Sequence, residues 1–255
     1  MKRAVMIFSH PNHELAILGT VQRFRPHMIF LTDGGGAERV GDSRHGLESI
    51  GALERACFLN HPEDDLYRAL LERRTDFFRE LALQVRSILD RLDFDAVYCD
   101  AIEFYNPLHD LALPLTRKAL EPWPGLPVFE VPLIYQTADA AERYEIQRAP
   151  AALLPRGSWV NLDAAEWRVK VEAQRHSYGS LSSQLGGLIS GSTYLRARRE
   201  LFLAARADLP LPAAGQVLRY DRRGEELRRA AAVEQAISYS GHYVPMYRSL
   251  CAAPA

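Results

Sequence analysis

Val5-Met6-Ile7-Phe8-Ser9-His10-Pro11-Asn12-His13-Glu14, followed by the helical pattern of Leu15 to Phe24, is the stretch on which the reading of this 255-residue chain turns. Its apolar half reads as a strand buried on both faces, and its polar half as a turn that opens a helix. The turn carries two imidazoles, His10 and His13, and a carboxylate, Glu14. Three side chains able to ligate a metal are more than a chain reversal needs. The junction of a strand's C-terminal end with a helix N-terminus is also where α/β folds place their chemistry.

Working outward, His27 to Thr32 reads as a second strand, closed by Asp33-Gly34-Gly35-Gly36. Strand, helix and strand within this span make a βαβ unit, so the strands pair in parallel and end on the same edge of the sheet. The glycines are either a flexible connector or a place of close backbone approach. They do not form GxGxxG, and they follow the second strand, so a dinucleotide fingerprint is unsupported. Asp42 and Ser43 can cap a helix over Arg44 to Ile50, stopped by Gly51, and Arg55 to Leu59 can be a third strand. His61-Pro62-Glu63-Asp64-Asp65 reads as a turn rich in helix-starting acids in preference to a second acidic cluster.

Thr75 to Leu92 has the periodicity of an amphipathic helix. Asp95 to Cys99 reads as the fourth strand, Asp100 to His109 as the loop after it, Asp110 to Leu120 as a helix, and Val128 to Pro132 as another strand. Beyond Gln136 the alternation fades. Helices are expected over Trp167 to His176, Tyr194 to Ala205 and Glu225 to Tyr239, with an edge strand at Val217 to Tyr220. Residues 1–140 are read as the α/β core that carries the site, and 141–255 as an extension packed on it within the same domain.

Composition narrows the function. Lys and Arg total 31 against 32 Asp and Glu, a formal net charge of −1, which argues against an electrostatic nucleic-acid binder or a membrane-surface protein. Cys57, Cys99 and Cys251 are odd in number and form no CxxC pair, the pattern of reduced thiols; Cys57 and Cys99 lie in apolar runs and read as buried filler. No stretch reaches the roughly 20 apolar residues of a membrane span, and the N-terminus does not resemble a signal peptide. The expectation is a soluble, cytoplasmic protein acting on a small molecule, with its oligomeric state open.

His109 follows the fourth strand on the edge that holds His10 and His13, so parallel strands bring the three imidazoles within reach of one another. Three nitrogens plus a water are an established catalytic zinc set. At these residues the sequence resembles the PIG-L/LmbE-like family of zinc-dependent N-deacetylases. That family has a strand, His-Pro-Asp-Asp-Glu and a helix, then a strand ending Leu-Thr-Asp-Gly, and later His-Pro-Asp-His at a helix start. Here stand His10-Pro11-Asn12-His13-Glu14, then Leu31-Thr32-Asp33-Gly34, then Asn106-Pro107-Leu108-His109. Phe58-Leu59 before Pro62 and the Trp167 to His176 segment also fit, so the resemblance covers about residues 3–205.

The resemblance implies a Rossmann-like, mostly parallel sheet flanked by helices, with a helical C-terminal extension. It implies removal of an N-acyl group from an amino sugar or sugar conjugate, with one Zn2+ held by His10, His13 and His109. His13 stands where the family has an aspartate. Asn12 stands at the position of the general base and Asn106 at that of the assisting histidine, and an amide cannot take a proton from water. Among nearby carboxylates, Asp33 and Asp110 are the candidates to assist proton transfer. Asp33 can equally cap a helix or hold His10 in one tautomer. Arg39 and Arg44 are candidates to grip substrate hydroxyls or phosphate, or are solvated; Tyr105 can lie over a sugar ring or pack. Two other readings stay open: a catalytically degenerate relative that binds a sugar-like ligand or a partner, and a metal hydrolase of altered substrate class.

Overall fold

Alternation along β1 (Ala4–Phe8) sends Val5 and Ile7 to one face of a sheet and Met6 and Phe8 to the other, and every residue of the strand is buried. A strand buried on both sides needs parallel neighbours and helices on each face. The computed structural model, in which residues 3–136, 144–179, 198–209, 211–212, 216–230 and 234–252 are described, has that arrangement. Parallel strands β2 (His27–Thr32), β3 (Ala56–His61), β4 (Ala96–Asp100) and β5 (Val128–Val131) flank β1 in the order β3-β2-β1-β4-β5. The switch in strand order between β1 and β4 opens the crevice where such sheets bind ligands.

Helices α1 (Leu18–Phe24), α2 (Ala37–Ser49), α3 (Glu63–Leu71), α4 (Thr75–Leu89) and α5 (Pro107–Ala119) connect the parallel strands. Phe78, Leu81, Val85 and Leu89 of α4 pack with Leu111 and Leu115 of α5 and with Val5, Ile7 and Val97 of the sheet. On the other face Met6, Phe8, Met28 and Phe30 meet Leu15, Leu18, Val21 and Leu47. An antiparallel pair, β6 (Ile134–Gln136) and β7 (Tyr144–Ile146), lies outside this sheet.

The C-terminal portion joins the sheet. β9 (Arg199–Ala204) pairs antiparallel with β5 and with β8 (Gly157–Asn161), which extends the order to seven strands. The helix expected over Tyr194 to Ala205 is therefore a strand where it is described; Tyr194 to 197 lie outside the described residues. Glu200 to Leu203 are all buried, and a helix would have exposed one side of them. Val217 to Tyr220 is not an edge strand, since α7 (Arg219–Arg229) begins inside it. The helix expected to run to Tyr239 ends ten residues earlier, and Tyr239–Tyr243 instead forms a wide turn of π type leading into α8 (Val244–Cys251). Among the described residues no helix is long and apolar enough to cross a membrane.

Three smaller differences move site residues. The first helix starts as a 3-10 turn over His13–Ile17, because Asn12 is left-handed at φ 76°. α2 begins directly after Gly36, so Ser43 is a buried residue inside the helix and caps nothing. α5 starts at Pro107, three residues before Asp110, with Asn106 accepting the Leu108 N–H as its cap; His109 thus lies in the helix's first turn. Cys99 is buried, but Cys57 is only partly covered.

One buried ion pair ties the two ends of the chain together. Lys170 Nζ, on α6 (Ala164–His176), lies 2.7 Å from Glu200 Oε1 on β9. Lys170 also donates to Ala16 O, and Glu200 accepts from the N–H groups of Gly19 and Thr20 at the start of α1. Removing one partner leaves an uncompensated buried charge. Glu200→Ala is therefore expected to lower unfolding free energy by about 3–5 kcal/mol, read from urea denaturation followed by circular dichroism.

Candidate active site

β1 and β4 run side by side in register, Ile7 opposite Cys99, so the residues that follow them leave the sheet together. Asp100 closes β4 with no solvent exposure, and a buried carboxylate has to find donors. Its Oδ2 accepts from Ser9 N at 2.7 Å and Ser9 Oγ at 2.6 Å, while His13 Nδ1 lies 3.1 Å from both carboxylate oxygens. A carboxylate only accepts, so Nδ1 of His13 carries a proton and Nε2 is the nitrogen that can offer a lone pair.

The same logic fixes His10. Thr32 Oγ1 gives its hydrogen to Ser9 O, so at 2.7 Å from His10 Nδ1 it can only accept. His10 is thus protonated on Nδ1, and its Nε2 is a buried acceptor without a hydrogen-bond partner. His109 Nδ1 is likewise buried and unpartnered. The three rings gather in one place, with centroids 5.2 Å apart for His10 and His13, 5.1 Å for His10 and His109, and 4.4 Å for His13 and His109. Burial and the neighbouring imidazoles hold His10 and His109 well below the usual histidine range, so both are neutral donors.

Two orphaned ring nitrogens beside a third lone pair form a cluster that costs free energy unless something electropositive meets it. That donor chemistry fits a divalent cation such as zinc. As the side chains stand, no group of three or more His, Cys, Asp or Glu among the described residues is arranged to hold a metal ion. The convergence of the imidazoles is thus present, and a finished coordination shell is not.

The remaining sequence-derived candidates take varied places. Asn12 turns its amide away to Ser43, whose hydroxyl donates to Oδ1 at 3.0 Å. Asn106 donates from Nδ2 to Tyr67 Oη at 2.9 Å in addition to its cap. Asp33 Oδ1 accepts from the N–H groups of Gly35 and Glu63, which holds the glycine loop against the start of α3. Asp110 accepts from the N–H groups of Glu103 and Phe104, and burial pushes it up to about 8. Both carboxylates hold backbone. Glu14 is turned to Tyr178, whose hydroxyl donates to it at 2.9 Å.

Arg39 binds the carbonyls of Pro11 and Gly34 and so ties the histidine turn to the glycine loop. Arg44 is exposed, with its guanidinium 4.7 Å from the centre of the Phe58 ring. Tyr105 lies 6.0 Å from His109 and also lines a cavity of about 300 Å³ bounded by Ile102, Pro132, Leu153, Leu203 and Arg206.

Two acids that the sequence reading passed over belong to the site. Asp100 reads in sequence as the start of a loop, although an acid ending an apolar strand is the signal that identifies it. Glu63, taken as one of several helix-starting acids, has Oε1 3.6 Å from His10 Nε2. Asp64 and Asp65 keep the bland role, in the first turn of α3. The distinguishing cue is that Glu63 comes first, at the end of a parallel strand on the site's edge.

The sequence matches no family model and no curated protein. Among solved structures, the chain is similar to a triple mutant of a deacetylase in the teicoplanin biosynthetic pathway, with TM-score 0.55 and 14% identity over 82% of this chain and 100% of that one. A second similar structure is a deacetylase of the antimicrobial A40926 pseudoaglycone, with TM-score 0.54 and 14% identity over 82% of this chain and 99% of that one. The strand order, the parallel core and these likenesses agree with the fold expected from the histidine motifs: the chain has the LmbE/PIG-L-like deacetylase fold.

Proposed function

We propose that this protein is a metal-dependent hydrolase that removes an N-acyl group, acetyl in the simplest case, from an amino sugar or sugar conjugate. The observation that carries the reading is the gathering of His10, His13 and His109 at the β1/β4 edge with ring nitrogens left unpartnered. The deacetylases that share the fold support the reaction class.

His10, His13 and His109 would hold the cation, with Asp100 and Thr32 keeping two of the rings in the donor tautomer. A zinc ion there supplies Lewis acidity toward the acyl carbonyl and toward water. The chain's own contribution is to orient and to seat. Arg39 and Asp33 fix the loops that wall the site, and Tyr105, 6.0 Å from His109 and with the Arg219 guanidinium 5.4 Å from its ring centre, lines the adjoining cavity where a sugar would pack.

A second reading has support of its own. Asn12 and Asn106 are engaged by Ser43 and Tyr67, and neither titrates, as expected of a relative that binds a sugar-like ligand without turning it over.

Purified protein supplied with zinc and incubated with N-acetylglucosamine conjugates separates the two. Acetate release that is abolished in His109→Ala, with the circular dichroism spectrum unchanged, is the expected result; metal uptake with no acetate from any N-acyl sugar tested leaves the binding reading. Because Asp100 orients His13, Asp100→Asn is expected to weaken zinc affinity by roughly 10–100-fold, measured by competition with a chromogenic chelator.

A further inference from the structure

With an amide at position 12, the chain lacks a side chain there that can take a proton from water. We infer that Glu63, reaching over from the N-terminal turn of α3, does this work instead; the inference rests on the hydrolase reading above.

Glu63 Oε1 lies 3.6 Å from His10 Nε2, the nitrogen left bare by the Thr32 contact. The separation is too long for a hydrogen bond, and both atoms are acceptors. Atoms this close leave no room for a molecule between them, so a water that serves both acceptors lies to one side of the pair. The carboxylate is therefore beside the cluster and directed at it, with its side chain only 17% exposed.

Its orientation is held from two sides. Asn106 Nδ2 donates to Tyr67 Oη, so the phenol's own hydrogen is free to turn toward the neighbouring Glu63 carboxylate, whose charged form Tyr67 favours. On the opposite side the carboxylate lies over the glycine loop. A Cβ at Gly35, where φ is +90°, would come within 3.2 Å of Glu63 Oε2. The glycine leaves room for the acid, and Asp33 locks the same loop to the Glu63 N–H at 3.0 Å. Asn106, Tyr67 and Glu63 thus form a relay from the second histidine motif to the first, in which only the last member can accept a proton.

In the reaction an O–H bond of water breaks and the proton passes to a Glu63 carboxylate oxygen, while the water oxygen bonds to the amide carbonyl carbon. The proton then goes to the departing nitrogen as the C–N bond breaks, leaving carboxylic acid and free amine. Water and amide balance acid and amine, with no other reactant. Tyr67 and Asn106 act through Glu63 and are positioning residues.

The test compares wild type, Glu63→Gln and Tyr67→Phe, each loaded with zinc, for kcat, KM, zinc stoichiometry and thermal melting. A general base is worth roughly 10²–10⁴-fold. Glu63→Gln is expected to lower kcat by at least 100-fold, with KM changed less than threefold and zinc stoichiometry unaltered; Tyr67→Phe is expected to lower kcat about tenfold with full zinc. If Glu63→Gln turns over within threefold of wild type, the inference falls and the hydrolase reading stands. If zinc is lost together with activity, Glu63 is a ligand and the base role is overturned. Should Glu63→Gln fail to fold, Tyr67→Phe decides: unchanged kcat with the fold intact overturns the inference. Wild type that holds zinc and releases no acetate overturns both.

Discussion

Everything at the candidate site depends on one buried carboxylate. Asp100 ends β4 beside the end of β1, and within a hydrogen bond's length it takes the backbone N–H and hydroxyl of Ser9 and the ring N–H of His13. Parallel pairing alone brings two strand ends together; it does not decide where their loops go. The charge-assisted contacts of Asp100 do decide, because a buried anion with no exposure tolerates few alternatives. Ser9 is drawn toward β4, and its carbonyl accepts from Thr32 of β2. Three strands that share no chain continuity at this edge are thereby locked to one another.

The contrast between closed and open polar clusters locates the chemistry. Lys170 and Glu200 are as buried as the histidines, yet they satisfy each other and three backbone groups, the Ala16 carbonyl and the N–H groups of Gly19 and Thr20. That cluster has nothing left to offer a ligand. The imidazoles are different: two have one ring nitrogen committed to Thr32 and Asp100, and the other nitrogen of His10 is unpartnered and faces Glu63. Evolution of a purely structural core removes such unpaired acceptors, since each costs about 1–3 kcal/mol. Their gathering in one compact group is what makes this edge the candidate site.

Most of the parallel core was legible because its period is short and its strands are apolar throughout. β2 falls at the expected residues, and β1, β4 and β5 within one residue of an end. The failures share a cause. Arg199 to Ala204 has a composition that suits a helix, and only its antiparallel pairing with β5 and β8, between segments far apart in sequence, makes it a strand. The edge strand expected at Val217 to Tyr220 fails likewise, since Tyr220 is buried against the α5 side of the core as part of a helix. At the site, the three histidines could be picked out because each follows a strand on one edge. Glu63 and Asp100 could not be ranked above the other acids, because what singles them out is the atom they face, a property of distance across the sheet that spacing along the chain does not carry.

The two asparagines hold the geometry of the site's edge without any group that can transfer a proton. Asn12 occupies a left-handed conformation, which asparagine and aspartate tolerate better than other side chains, and its amide oxygen still accepts from Ser43. Asn106 caps α5, a place where asparagine is among the preferred residues. In both positions the geometric duty of the side chain, turning the backbone or satisfying a helix end, needs an oxygen acceptor but no charge. The scaffold that aims His10, His13 and His109 is therefore indifferent to the change. Proton transfer is the one duty an amide cannot perform, and Asn106 spends its remaining donor on Tyr67, in the direction of a carboxylate that can.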